Sequence, residues 1–178
     1  MFRVWDIRQK NPTFAHKTHK LSIKSIDSRQ NTLVAGGKEG SLKVADMRKM
    51  VFETVCCNEK ISDLSISSNS ERVSVLHSNS IFRIYDLGTF ETILTSACSK
   101  SFIVKDRPEG ILILSSHKVS LFNTRGLVLE KEAQWSFPLH LSPSNKVLSR
   151  DLGVDVWELR QINSRPTGID FGKLVRST

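Results

Sequence analysis

His16 and His19 in "HKTHK" are the first residues whose types and spacing suit chemistry, because two imidazoles held close in a turn can share a metal ion. No cysteine or acidic residue close by in the sequence offers a third ligand, so the pair reads as loop histidines and no metal is expected. Cys56 and Cys57 are adjacent and Cys98 stands alone, which gives neither an even disulfide framework nor paired zinc ligands. Small strand cysteines in a reducing compartment fit that pattern. His77, His117 and His140 fall in strand-like segments or their turns, and no GxSxG, HExxH or phosphate-loop motif occurs. "GGKEG", Gly36 to Gly40, places a lysine after two glycines. A phosphate cradle needs a helix N-terminus there, whereas this stretch joins one strand-like run to another and reads as a tight hairpin turn. The residues therefore predict no catalytic constellation: not an enzyme, no cofactor and no small-molecule substrate.

The elements that would carry these residues are short strands. "FRVWDIR" at 2–8 alternates side chains with the period of two expected of a strand with two differently packed faces. The same segment returns as "LKVADMR" at 42–48, "FRIYDLG" at 82–88, "VSLFNTR" at 119–125 and "VDVWELR" at 154–160. Its register residues are Trp5, Ala45, Tyr85, Phe122 and Trp157, spaced 40, 40, 37 and 35 residues apart. Three further strand-like runs precede each later copy; before the first of them stand "PTFAHKT", "LSIKSID" and "NTLVAGG".

A repeat near 40 residues with this ending resembles the WD-repeat β-propeller family over residues 2–160. The Trp-Asp ending is intact at Trp5-Asp6, becomes Tyr85-Asp86 and Trp157-Glu158, and decays to Ala45-Asp46 and Phe122-Asn123. The resemblance implies an all-β, WD-repeat-like propeller of about four blades plus half a blade, with residues 161–178 as a C-terminal extension or last outer strand. It also implies that 2–8 is the third strand of a blade and the segment around Thr13 to Ala15 its outer edge. The two inner strands of that blade are expected to come from missing sequence or from a partner chain, because an open edge invites foreign pairing. The Gly-His pair usual in the family is missing, with His16 and His19 as the nearest substitutes. The acidic turn residue is Glu39 in one unit and Asp151 in another, but Asn79 and Ser116 elsewhere. The side-chain hydrogen-bond network of regular members is therefore expected to be mostly lost.

Charge is unevenly placed. Of the net +8, residues 1–50 supply eleven Lys and Arg against four acids, residues 51–158 eleven against thirteen, and the last twenty four against one. An electropositive N-terminal region favours an acidic partner. Propeller topology would gather Lys17, Lys20, Lys38, Lys60, Lys100 and Lys118 on one rim, with Trp135 as an aromatic candidate and only Glu39, Glu59 and Asp151 opposing them. Arg3, Lys43 and Arg83 recur two residues before the register position and read as structural. Such a rim suits a phosphate backbone or an acidic peptide.

Two functions stay open at this point. One is a non-catalytic protein-interaction scaffold within a multisubunit, eukaryotic-type complex; the other is an RNA-contacting subunit of a ribonucleoprotein particle. The longest apolar run, "ILIL" at 111–114, is far shorter than the roughly 20 residues of a membrane span. With no charged-then-apolar leader, the expected setting is intracellular, nucleus or cytoplasm, with no membrane partner.

Overall fold

In the computed structural model the chain is all-β, and the structure describes residues 2–16, 19–49, 51–107, 110–115, 118–132, 139–141, 146–150 and 154–158. The chain divides into two compact units, 1–131 and 132–178. The first holds a two-stranded sheet of β1 (Phe2–Val4) and β2 (Phe14–His16). After it comes a four-stranded sheet of β3 (Ile23–Arg29), β4 (Thr32–Gly37), β5 (Ser41–Asp46) and β6 (Val51–Cys56). The next comprises β7 (Ile61–Ile66), β8 (Arg72–His77), β9 (Ile81–Asp86) and β10 (Thr92–Ala97). The following one comprises β11 (Ser101–Arg107), β12 (Gly110–Ser115), β13 (Lys118–Asn123) and β14 (Gly126–Glu132). The second unit carries β15 (Leu139–Leu141), β16 (Lys146–Arg150) and β17 (Val154–Glu158) as an antiparallel three-stranded sheet. Every pairing whose register is described is antiparallel between strands consecutive in sequence, so each sheet is a meander in which short hairpins suffice.

The recurring acid after the register residue has a local reason. At the exit of the repeated strand its side chain accepts the N–H two residues on, closing an Asx turn into the next strand. Asp6 Oδ1 takes the Arg8 N–H at 3.0 Å, and Asp46 Oδ1 takes that of Arg48 at 2.8 Å. Asp86 Oδ1 takes the Gly88 N–H at 2.8 Å, and Asn123 Oδ1 that of Arg125 at 2.8 Å. Asn123 thus keeps the function in a copy where the sequence pattern had decayed.

Two cores lie between successive sheets of the first unit. Val34, Leu42 and Val44 meet Ile61, Leu64, Ile66, Val73, Val75 and Tyr85 in one. Leu76, Phe82 and Ile84 meet Val104, Ile111, Ile113 and Phe122 in the other, with the Phe82 and Phe122 rings 5.2 Å apart. Nearly every one of these residues is aliphatic or aromatic, and the area removed from water drives the stacking.

The first strands of these sheets lie side by side, β3 against β7 and β7 against β11, without forming a backbone ladder between them. Side chains of one strand instead accept the edge N–H groups of the next. Asp27 Oδ2 accepts the Ile66 N–H at 2.9 Å and the Ser65 hydroxyl at 3.3 Å. Asp63 Oδ2 accepts the Val104 N–H at 2.9 Å, while its Oδ1 takes the Ser25 hydroxyl at 2.6 Å. Ser65 Oγ accepts the Asp106 N–H at 3.1 Å. Burial pushes the Asp63 carboxyl up, against the lowering effect of Ser25 and the Val104 N–H.

An edge N–H left without its acceptor costs about 1–3 kcal/mol when buried. Asp27→Ala and Asp63→Ala are each expected to lower stability by that amount, read as a shift in urea midpoint at unchanged slope. Exposed Glu53→Ala, on β6, is expected to stay within about 0.5 kcal/mol.

Candidate partner-binding face

The turns Gly37–Gly40 and Ser78–Ser80 and the segments entering β7 and β11 lie at one end of the sheets, and backbone hydrogen bonds tie them together. The Lys38 N–H donates to the Ser22 carbonyl and the Ser78 N–H to the Lys60 carbonyl, each at 2.9 Å. Gly40 sits at φ +80°, and a Cβ there would lie 3.0–3.1 Å from the Asn58 and Glu59 backbone, so a side chain would be strained and crowded. Its carbonyl accepts the Cys57 N–H at 2.8 Å.

By the strand registers, Ser22, Lys60 and Lys100 each stand one residue before the position shared by Ile23, Ile61 and Ser101. Lys38 and Ser78 occupy matching turn positions. This equivalence brings Lys24, Lys38, Lys60 and Lys100, from three successive sheets, around one shallow depression of about 430 Å³ with Ser62, Ser78, Ser80 and Ser101. Among the described residues, no carboxylate lines it. His77 forms part of its wall: the buried ring has Nδ1 3.2 Å from the Glu59 carbonyl, and its Nε2 is without a partner. Burial pushes the His77 ring below its ordinary value, which keeps it neutral with Nε2 as a free acceptor.

Lys38, Lys60 and Lys100 were expected on one rim and are brought together. Lys20 lines a separate depression of about 370 Å³ with Glu39, Lys43 and Asn58. Lys118 is held by Glu130 at 2.8 Å. Lys17, Trp135 and Asp151 lie outside the described residues. Lys24 escaped the sequence reading because it is a strand residue; only the register of β3 against β4 shows that it emerges beside the turn.

Glu39 and Glu59 each have a partner of their own, and Glu39 also lines the depression that holds Lys20. Glu59 pairs with Arg83 through both oxygens, one contact at 2.9 Å, and this partner holds its carboxyl below the ordinary range. Arg83 is thereby structural, as read. In the first four-stranded sheet, where the sequence keeps the acidic turn residue Glu39, a side-chain network is present. His19, fully buried at its side chain, places Nδ1 2.6 Å from Glu39 Oε1, and Ser41 Oγ donates to the same oxygen at 2.7 Å. Gly37 leaves room for this cluster, because a Cβ there would come within 2.4 Å of His19 Nδ1. Sequence reasoning named His19 and Glu39 singly but had no signal joining residues twenty positions apart.

A larger depression of about 920 Å³ at the opposite end carries mixed charge, Arg48 and Lys49 with Asp46, Glu53, Glu71 and Asp86. Asp46 and Asp86 are occupied in turns there. Among the described residues, no group of three or more His, Cys, Asp and Glu could hold a metal ion, and no helix is long and apolar enough to cross a membrane.

Burial pushes the Glu39 carboxyl up, but hydrogen bonds from Ser41, its own backbone and His19 outweigh this and hold it at about 2, against an ordinary 4.5. A carboxyl lowered by folding stabilises the fold above its unfolded value and loses that contribution as the proton binds. The stability gap between the protein and Glu39→Gln is therefore expected to shrink as pH falls from about 4.5 to 2; denaturant melts across that window would contradict this if the gap stayed constant.

No protein-family model matches the chain, and comparison with curated proteins finds no match.

Proposed function

We propose that this chain is a WD-repeat-like propeller segment acting as a non-catalytic interaction module, with the lysine depression as the seat of an acidic protein segment. The observation that supports this most is the convergence of Lys24, Lys38, Lys60 and Lys100 from three sheets on a surface with no carboxylate in its lining among the described residues. Four ammonium groups at fixed backbone positions create a positive potential that draws an acidic chain by steering, while the serines offer hydrogen bonds at short range. The propeller reading rests on the repeated strand, the successive four-stranded meanders and the side-by-side packing of β3, β7 and β11. A partner of a multisubunit assembly would supply the acidic segment.

RNA is the second reading, favoured by the charge alone. Among the described residues, no Phe, Tyr or Trp lines the depression and the His77 ring is buried, so single-stranded bases would find no stacking platform from them. That tips the assignment toward an acidic polypeptide.

Titration with poly-L-glutamate and with a single-stranded RNA oligonucleotide, each from 50 to 300 mM salt, separates the readings. Poly-L-glutamate is expected to bind at low salt and to lose at least tenfold in affinity in a Lys60→Glu/Lys100→Glu variant of unchanged melting temperature. Tighter RNA binding, with a logarithmic salt slope of about −0.7 per phosphate contacted, would transfer the site to RNA. Binding of neither probe, or equal binding by the variant, overturns the proposal.

A further inference from the structure

His77 ends strand β8 and pairs in register with Ile61, the place that Gly37 holds against Ile23 in the first four-stranded sheet. Gly37 has no side chain there, and His19 and Glu39 gather where one would be, tied to Ser41 by hydrogen bonds. Counting on through the turn, Glu39 and Ser41 correspond to Asn79 and Ile81, so the second sheet has neither the carboxylate nor the hydroxyl of that network. It has an imidazole instead. The residue is 1% exposed, its Nδ1 lies 3.2 Å from the Glu59 carbonyl, and its Nε2 has no partner among the described residues. A carbonyl can only accept, so Nδ1 carries the ring's proton and Nε2 a lone pair.

The other charges near the ring are already engaged. Glu59, from the segment entering β7, is paired with Arg83 of β9, and these two act on the ring in opposite senses. Asp63 of β7 is turned to the Ser25 hydroxyl and the Val104 N–H. The charged groups lining the depression with His77 are all ammonium: Lys24 from β3, Lys38 from the first turn, Lys60 next to Glu59, and Lys100 from the segment entering β11. Burial holds the ring below its ordinary value and keeps it neutral. No described group would accept from a second N–H at Nε2, whereas an anion seated among the lysines brings negative charge to the wall that the ring helps to form.

We propose that His77 takes up a proton as an acidic segment seats in this depression, so that affinity rises from neutral to mildly acidic solution. This regulation presupposes that the depression seats an acidic segment. The proton comes from solvent and bonds to Nε2, and no other bond changes. A ring that holds its proton more tightly in the complex adds affinity in full below its free-state value, and the gain fades as pH rises through its value in the complex. Glutamate side chains, with an ordinary value of about 4.3, stay largely charged over that range, so the change belongs to the protein. One unit of difference between the two states of the ring corresponds to about tenfold in affinity.

Poly-L-glutamate titrated into the full chain at pH 8 and pH 5.5, at constant salt, reads the two affinities. NMR of the His77 ring reads its titration with and without the polymer. Binding about three- to tenfold tighter at pH 5.5 is expected, with a ring midpoint higher by at least about half a unit in the complex. For His77→Gln only the ratio of the two affinities is read, and it should fall to near one; if that variant does not fold, the ring titration in the native chain decides. Equal affinity at the two pH values, or a ring midpoint unmoved by the polymer, overturns the proton uptake and leaves the acidic-segment reading standing. Binding at neither pH overturns both.

Discussion

Neighbouring first strands in this protein approach as edges, and each N–H that a strand edge buries unpaired costs free energy comparable to a lost hydrogen bond. The arrangement depends on giving each of those N–H groups an acceptor without forming a ladder, which would merge the sheets into one. Asp27 and Asp63 do this by reaching across to Ile66 and Val104, with Ser25 and Ser65 completing the contacts. A carboxylate is suited to the task because it accepts from a backbone N–H and a hydroxyl together. The sheets can then stand as separate meanders whose faces bury the apolar residues between them.

Fixing the first strands fixes what enters and leaves them. The turns at one end are held by hydrogen bonds from Lys38 and Ser78 to the residues preceding β3 and β7, so their side chains project from a rigid frame. Charge then accumulates because similar units put Lys or Ser at matching positions and the nearby acids are spent on His19 and Arg83. Rigidity matters for binding: lysines whose backbones are already ordered lose less entropy when a partner arrives.

Much of the fold was legible because period-two alternation and the near-40-residue spacing both survive in this sequence. The copies at 42–48, 82–88 and 119–125 all fall on strands β5, β9 and β13, and the glycine-rich stretch 36–40 is a hairpin turn as read. What stayed hidden depends on contacts distant in sequence. Asp27 and Asp63 look like ordinary polar residues of alternating strands until β3 and β7 lie side by side. His19 gains meaning only when Glu39 and Ser41 are folded against it. Lys38, Lys60 and Lys100 come together because topology decides which turns share an end, whereas the pairing of Lys118 with Glu130 of the adjacent strand needed the structure.

Native-state amide hydrogen exchange tests the linkage between first strands most directly. The Ile66 and Val104 amides, on strand edges that lack a backbone partner, should exchange as slowly as ladder amides in β8 and β12, while the Ile26 amide exchanges quickly. Rapid exchange at Ile66 and Val104, at the rate of Ile26, would contradict the account.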